Sequence, residues 1–125
     1  METKHFKDYE LRCRCGCGQN LMDTGFMKKL EELRVKVDFP MVLTSAYRCP
    51  EHNAKVSETG RTGAHTQGKA VDVKVSGDRA FTLLKHALAL GFHGIGISQK
   101  GEYATRFIHL DIAELGERRP RVWTY

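Results

Sequence analysis

Two short segments constrain this chain more than anything else in it. In residues 69–75 (KAVDVKV) the valines at 71, 73 and 75 recur at every second position, so an extended strand turns Asp72 to its opposite face. In residues 107–112 (FIHLDI) Ile108, Leu110 and Ile112 take one face, while His109 and Asp111 share the other with Phe107. Each strand thus buries an aliphatic face and shows polar groups from its back. Side by side in one sheet, the two bring Asp72 and His109 together. His65 arrives from the 63–68 turn that feeds the first strand, where a loop can close over a metal.

Two imidazoles and a carboxylate on separate elements are the donor set of a catalytic zinc site. Three protein ligands leave a fourth tetrahedral position for water, whose pKa falls towards roughly 7. The expectation is a zinc hydrolase with His65, Asp72 and His109 as ligands. Taken singly, each residue has a blander reading as a solvated or hydrogen-bonded side chain on a strand face.

The remaining periodicity predicts a scaffold. Thr24 caps a helix over 24–36 with Phe26, Leu30, Leu33 and Val37 on one side, and residues 38–40 stop it. Residues 41–44 form a short strand leading to Tyr47 and Arg48, and Pro50 opens a brief helix to residue 55. A polar loop follows at 57–63. A second amphipathic helix covers 77–90, with Phe81, Leu84 and Leu88 facing inward and Gly91 ending it. Residues 94–98 form a strand whose glycines allow close backbone approach, read as room for substrate. In the basic tail, Trp123 is expected to pack onto the sheet rather than line a groove. The fold class is α+β, a small and mainly antiparallel sheet against two main helices, in one domain over 1–125.

The motifs resemble one family. The stretch His65-Thr-Gln-Gly68-Lys-Ala70-Val-Asp72 is similar to the SxHxxGxAxD motif of the zinc D-alanyl-D-alanine carboxypeptidases, a family that includes phage endolysins cutting L-alanyl-D-glutamate bonds. Thr44-Ser-Ala-Tyr-Arg48 with Cys49-Pro-Glu-His-Asn53 resembles its SxYR…HN segment, and residues 94–97 and 107–111 resemble its closing hairpin. Cys15-Gly-Cys-Gly18 resembles the opening of a branch common in phages. The resemblance implies the fold shared with hedgehog-type zinc domains, and His65, Asp72 and His109 as zinc ligands. It also implies Arg48 as the cation that polarises the scissile carbonyl. The implied substrate is a stem peptide or crosslink of peptidoglycan, cut by metal-activated water.

Two positions depart from that pattern. Gly63 stands where the family has serine. Arg106 stands three residues before His109, where many relatives carry an acidic general base, and arginine accepts no proton at neutral pH. Asp111 is the expected substitute base, with an alternative role in orienting an imidazole. Glu102 is a further candidate from the preceding loop. The competing function is a zinc-containing wall-binding module without catalysis.

Composition adds limits. A hydrophobic fraction of 41% with 28% charged residues is that of an ordinary globular protein. No apolar run approaches the roughly 20 residues of a membrane-spanning helix, and the first residues lack the apolar core of a secretory signal. The expectation is a monomer made in the cytoplasm that acts at the cell wall after release, as a phage-associated enzyme would. A net charge of +5 favours polyanions such as the cell envelope, while the absence of a recognition motif argues against specific nucleic-acid binding. Cys13, Cys15, Cys17 and Cys49 read as free thiols, a second zinc site or disulfides, with free thiols preferred.

Overall fold

A computed structural model describes residues 2–114 and 117–125 of the chain. In chain order the elements are helices α1 (Asp8–Leu11) and α2 (Thr24–Val37), strand β1 (Val42–Ser45), helix α3 (Pro50–Val56), strand β2 (Ala70–Lys74), helix α4 (Gly77–Ala89) and strands β3 (Gly94–Ser98), β4 (Phe107–Asp111) and β5 (Arg121–Thr124). The fold is α+β, as expected. Among the described residues the strands form one sheet in the order β1-β2-β4-β3-β5, antiparallel throughout except for the parallel β3–β5 edge.

The two alternating segments are the central pair of this sheet. In register, Asp72 of β2 faces His109 of β4, and Val71 and Val73 face Leu110 and Ile108. The aliphatic side chains of both strands join Ile95 of β3 in the main core. There they meet Phe26, Met27, Leu30 and Leu33 of α2 and Ala80, Leu83 and Ala87 of α4. Burying each of the larger side chains stabilises the fold by about 1.5–3 kcal/mol. With helices on that face, the opposite face of the sheet is left for Asp72, His109 and Asp111.

Local signals start α2 one residue earlier than expected and carry it one residue further, to Val37. Asp23, not Thr24, is the N-cap, its carboxylate accepting from the Phe26 amide at 2.8 Å. The inward face of α4 also differs. Phe81 and Leu88 are 71% and 56% exposed, whereas Ala80, Leu83 and Ala87 are buried and Leu84 packs at their margin. The smaller alanines let the helix lie close to the core, and a helical period fits either stripe. No described helix is long and apolar enough to cross a membrane.

Candidate metal centre

The site is assembled from three local decisions. β2 and β4 are central strands that show Asp72 and His109 from the same face. The 63–68 turn sets His65 beside them. That turn needs Gly68, whose φ is +71° and where a Cβ would lie 2.1 Å from the Leu21 carbonyl oxygen. The Gly68 carbonyl then accepts from the Asp23 amide at 2.9 Å, which ties the turn to the start of α2.

Both imidazoles have one nitrogen engaged by the protein and the other aimed at Asp72. His65 Nδ1 donates to the Ala46 carbonyl at 2.7 Å, leaving Nε2 at 3.4 Å from Asp72 Oδ1. His109 Nε2 meets Asp111 Oδ2 at 2.6 Å, leaving Nδ1 at 3.0 Å from Asp72 Oδ1. The donor atoms of His65, Asp72 and His109 all lie within 4.8 Å of one another, and all three residues are buried. Tetrahedral donors at zinc bonds of about 2.0–2.1 Å sit roughly 3.3–3.4 Å apart, so this spacing fits one zinc ion with little adjustment. The outer hydrogen bonds fix each ring's orientation and tautomer, as bound histidines require.

Electrostatics point the same way. Burial holds His65 below the ordinary imidazole range despite the neighbouring Asp72 carboxylate. Burial works against charge on His109 too, but its hydrogen bonds to Asp111 and Asp72 outweigh it and push the group up to about 9. Asp72 would be raised by burial, yet the two histidines hold it well below the carboxylate range. Without a cation, then, the site keeps one proton on His109 to balance Asp72.

Arg48 stands on the flank. Its Nε donates to Ser45 Oγ at 3.1 Å, its Nη1 to Asn53 Oδ1 at 3.2 Å, and its Nη2 lies 3.6 Å from Asp72 Oδ2. Asn53 is buried, and its amide nitrogen also reaches Thr59 Oγ1 and the Gly60 and Thr62 carbonyls. One side chain thereby sets both the arginine and the 57–63 loop. The sequence drew attention to Arg48 alone, although Ser45 and Asn53 stand in the same motif.

Asp111 lies behind the site. It is fully buried and faces the outer nitrogen of His109, not the space between the ligands. Arg119 grips it through Nε at 2.8 Å and Nη2 at 2.6 Å. Burial would raise its pKa, but Arg119 and His109 hold it far below the usual range. Gly94, paired with Asp111 in the sheet, makes room for this carboxylate, since a Cβ there would lie 1.9 Å from Oδ1. At Gly96 a Cβ would meet Trp123 Nε1 at 2.6 Å. The strand glycines therefore admit protein side chains, where the sequence suggested substrate.

The site opens into a cleft of about 730 Å³, lined among others by Arg48, Glu58, Glu117, Arg121, Trp123 and Tyr125. β5 joins the sheet edge, but Trp123 does not simply pack away. Its ring lies 5.1 Å from that of His109, and the guanidiniums of Arg119 and Arg121 stack on it at 5.2 and 5.3 Å. Glu102 is exposed at the head of the Tyr103–Thr105 turn. Arg106 stacks on Tyr103 and donates to the Gly101 carbonyl. Glu58, Glu117 and Arg119 carried no signal of their own in the sequence, because each sits in a loop or tail without periodicity.

The peptidase M15 family matches residues 4–111. The chain belongs to this family, that of the zinc D-Ala-D-Ala carboxypeptidases. Neither a curated protein nor a solved structure matches the chain. Membership in M15 accounts for the donor set on the open face of the sheet, and it makes a peptidase with zinc as its metal the coarse reading of the site.

Proposed function

We propose that this M15 chain is a zinc peptidase that hydrolyses peptide bonds in peptidoglycan stem peptides or crosslinks after reaching the cell wall. The convergence of His65 Nε2, His109 Nδ1 and the Asp72 carboxylate beside the Arg48 guanidinium carries the reading. These three residues would hold the zinc ion. When bound, zinc supplies Lewis-acid polarisation and an activated water.

The chain's own residues do the rest. Arg48, locked by Ser45 and Asn53, offers a fixed charge to the carbonyl oxygen as negative charge develops there. Asp111 orients His109 by accepting from its outer nitrogen, and its ion pair with Arg119 keeps it ionised for that task. Of the two roles open to Asp111, orientation suits its position better than proton transfer. Proton acceptance then falls to a carboxylate on the cleft wall, Glu117 or Glu58. Trp123, Tyr125 and Phe107 give the cleft an aromatic side, and Arg121 offers a cation to the carboxylates of a stem peptide.

A second reading has one observation in its favour. Arg106 occupies the place of the usual acidic base, and the buried carboxylates Asp72 and Asp111 are both engaged. A wall-binding module with zinc and no turnover would look the same. Muropeptide hydrolysis and zinc content, measured together in wild type, His65→Ala, Glu117→Gln and Glu58→Gln, separate the two. Turnover that disappears together with one zinc equivalent in His65→Ala, and with zinc content unchanged in one glutamine variant, supports the peptidase. A zinc-loaded wild type that binds muropeptides and never cleaves them favours the module.

A further inference from the structure

We propose that Cys13, Cys15, Cys17 and Cys49 form a second metal site, a structural zinc closed by four thiolates. The four residues carry free thiols whose sulfurs all lie within 4.8 Å of one another. Cys13 Sγ is 3.4 Å from Cys15 Sγ and 3.7 Å from Cys49 Sγ, and Cys15 Sγ is 3.7 Å from Cys49 Sγ. Four sulfurs at zinc bonds of about 2.3 Å occupy a tetrahedron whose edge is about 3.8 Å. The three separations among Cys13, Cys15 and Cys49 are close to that edge, and Cys17 lies within 4.8 Å of each. They are far longer than a sulfur–sulfur bond of about 2.05 Å.

The backbone is shaped to bring the sulfurs to one point. An extended C-x-C-x-C segment would set its three side chains in a row, too far apart to share an ion. Residues 14–17 instead form a turn, with Gly16 at φ +92°. Cys49 comes from 36 residues away, as the N-cap of α3, and its amide donates to Cys13 Sγ at 3.3 Å. An N–H aimed at sulfur favours the thiolate that a metal requires. Binding would release the remaining thiol protons to solvent. With four protein ligands no position stays open for water, so the site is structural.

Its place in the fold gives it a purpose. The Tyr47 amide donates to the Leu11 carbonyl at 3.1 Å and the Arg48 amide to the His65 carbonyl at 3.3 Å. The peptide stretch carrying Arg48 is thus held on one side by the catalytic turn and on the other by the N-terminal segment. A metal at the cysteines fastens that second side, one residue from Arg48.

Elemental analysis of tag-free full-length chain, purified under reducing conditions and supplied with zinc before excess is removed, tests this. The comparison is wild type, His65→Ala and the double variant Cys15→Ser/Cys17→Ser, whose two residues are exposed and make no core. The expected zinc content is two equivalents in wild type and one in each variant. Cobalt substituted into His65→Ala should give near-ultraviolet thiolate-to-metal charge transfer that the cysteine variant lacks. One equivalent in wild type that survives in the cysteine variant overturns the site. Fewer than four titratable thiols in metal-free, denatured, unreduced protein also overturns it, in favour of disulfides. If instead His65→Ala changes nothing while the cysteine variant loses its zinc, the thiolate site stands and the peptidase reading fails.

Discussion

At the residue scale, the tasks proposed for Arg48 and Asp111 are separable. Arg48 is held at two points of its guanidinium, by Ser45 and Asn53, and lysine cannot reproduce that fork. Arg48→Lys should keep zinc and KM near wild type while kcat falls by about 10²-fold, the usual loss for a misplaced oxyanion donor. Steady-state kinetics on a muropeptide substrate would show it, and an unchanged kcat would remove Arg48 from the chemistry. Asp111→Asn keeps the shape of the carboxylate but not its charge on His109. Loss of such an outer partner weakens metal binding by about 10–100-fold. Competition with a chromophoric chelator measures this, and equal affinity in both proteins would return Asp111 to the role of base. The meeting of Asp72 and His109 was legible in the sequence because strand alternation fixes the face of each residue. The contact made by Asp111 was not, since alternation says which face a carboxylate shares but not which nitrogen of His109 it meets.

At the scale of elements, the strands were easier to read than the helix faces. A period of two assigns every side chain of β2 and β4, whereas the period of α4 left Phe81 and Ala80 equally eligible for the core. The N-terminal segment had no period at all; Phe6 and Leu11 anchor it in the main core, and polar contacts tie it to α2. The His5 amide donates to Glu31 Oε1 at 2.9 Å, and the His5 ring meets the other carboxylate oxygen. Burial alone would raise the pKa of Glu31, but the neighbouring Thr3 hydroxyl and the hydrogen bonds with His5 outweigh it and hold the group below its ordinary value. A folded pKa below the unfolded one means a contribution present above the ordinary glutamate pKa and lost as pH falls through the folded value. Glu31→Gln should therefore destabilise the chain near neutrality by about 1–2 kcal/mol. The difference should close as pH falls below about 4. Urea melts of the two proteins across pH 3–8 check this, and a gap that stays constant with pH would assign the effect to packing.

Across the whole molecule, one sheet divides the labour: its helix-covered face supplies the core and its other face the chemistry. The second face carries a cost. His65, Asp72, His109 and Asp111 are all buried there, and two of them come from strands 37 residues apart in the chain. Without a cation, the proton on His109 and the flanking charge of Arg48 balance Asp72, and zinc would take the place of that proton. A ligand that binds only the folded chain stabilises it by mass action, by about 4 kcal/mol when its free concentration is a thousandfold above Kd. Zinc should thus raise the melting temperature by roughly fifteen degrees for a chain of this size. The cysteine cluster would contribute a shift of its own, so the comparison belongs in the Cys15→Ser/Cys17→Ser background. There, zinc should raise the melting temperature over a chelated sample, and adding His65→Ala should abolish the rise. If the chelated and zinc-loaded proteins of that background melt together, the three residues on the open face do not hold a metal.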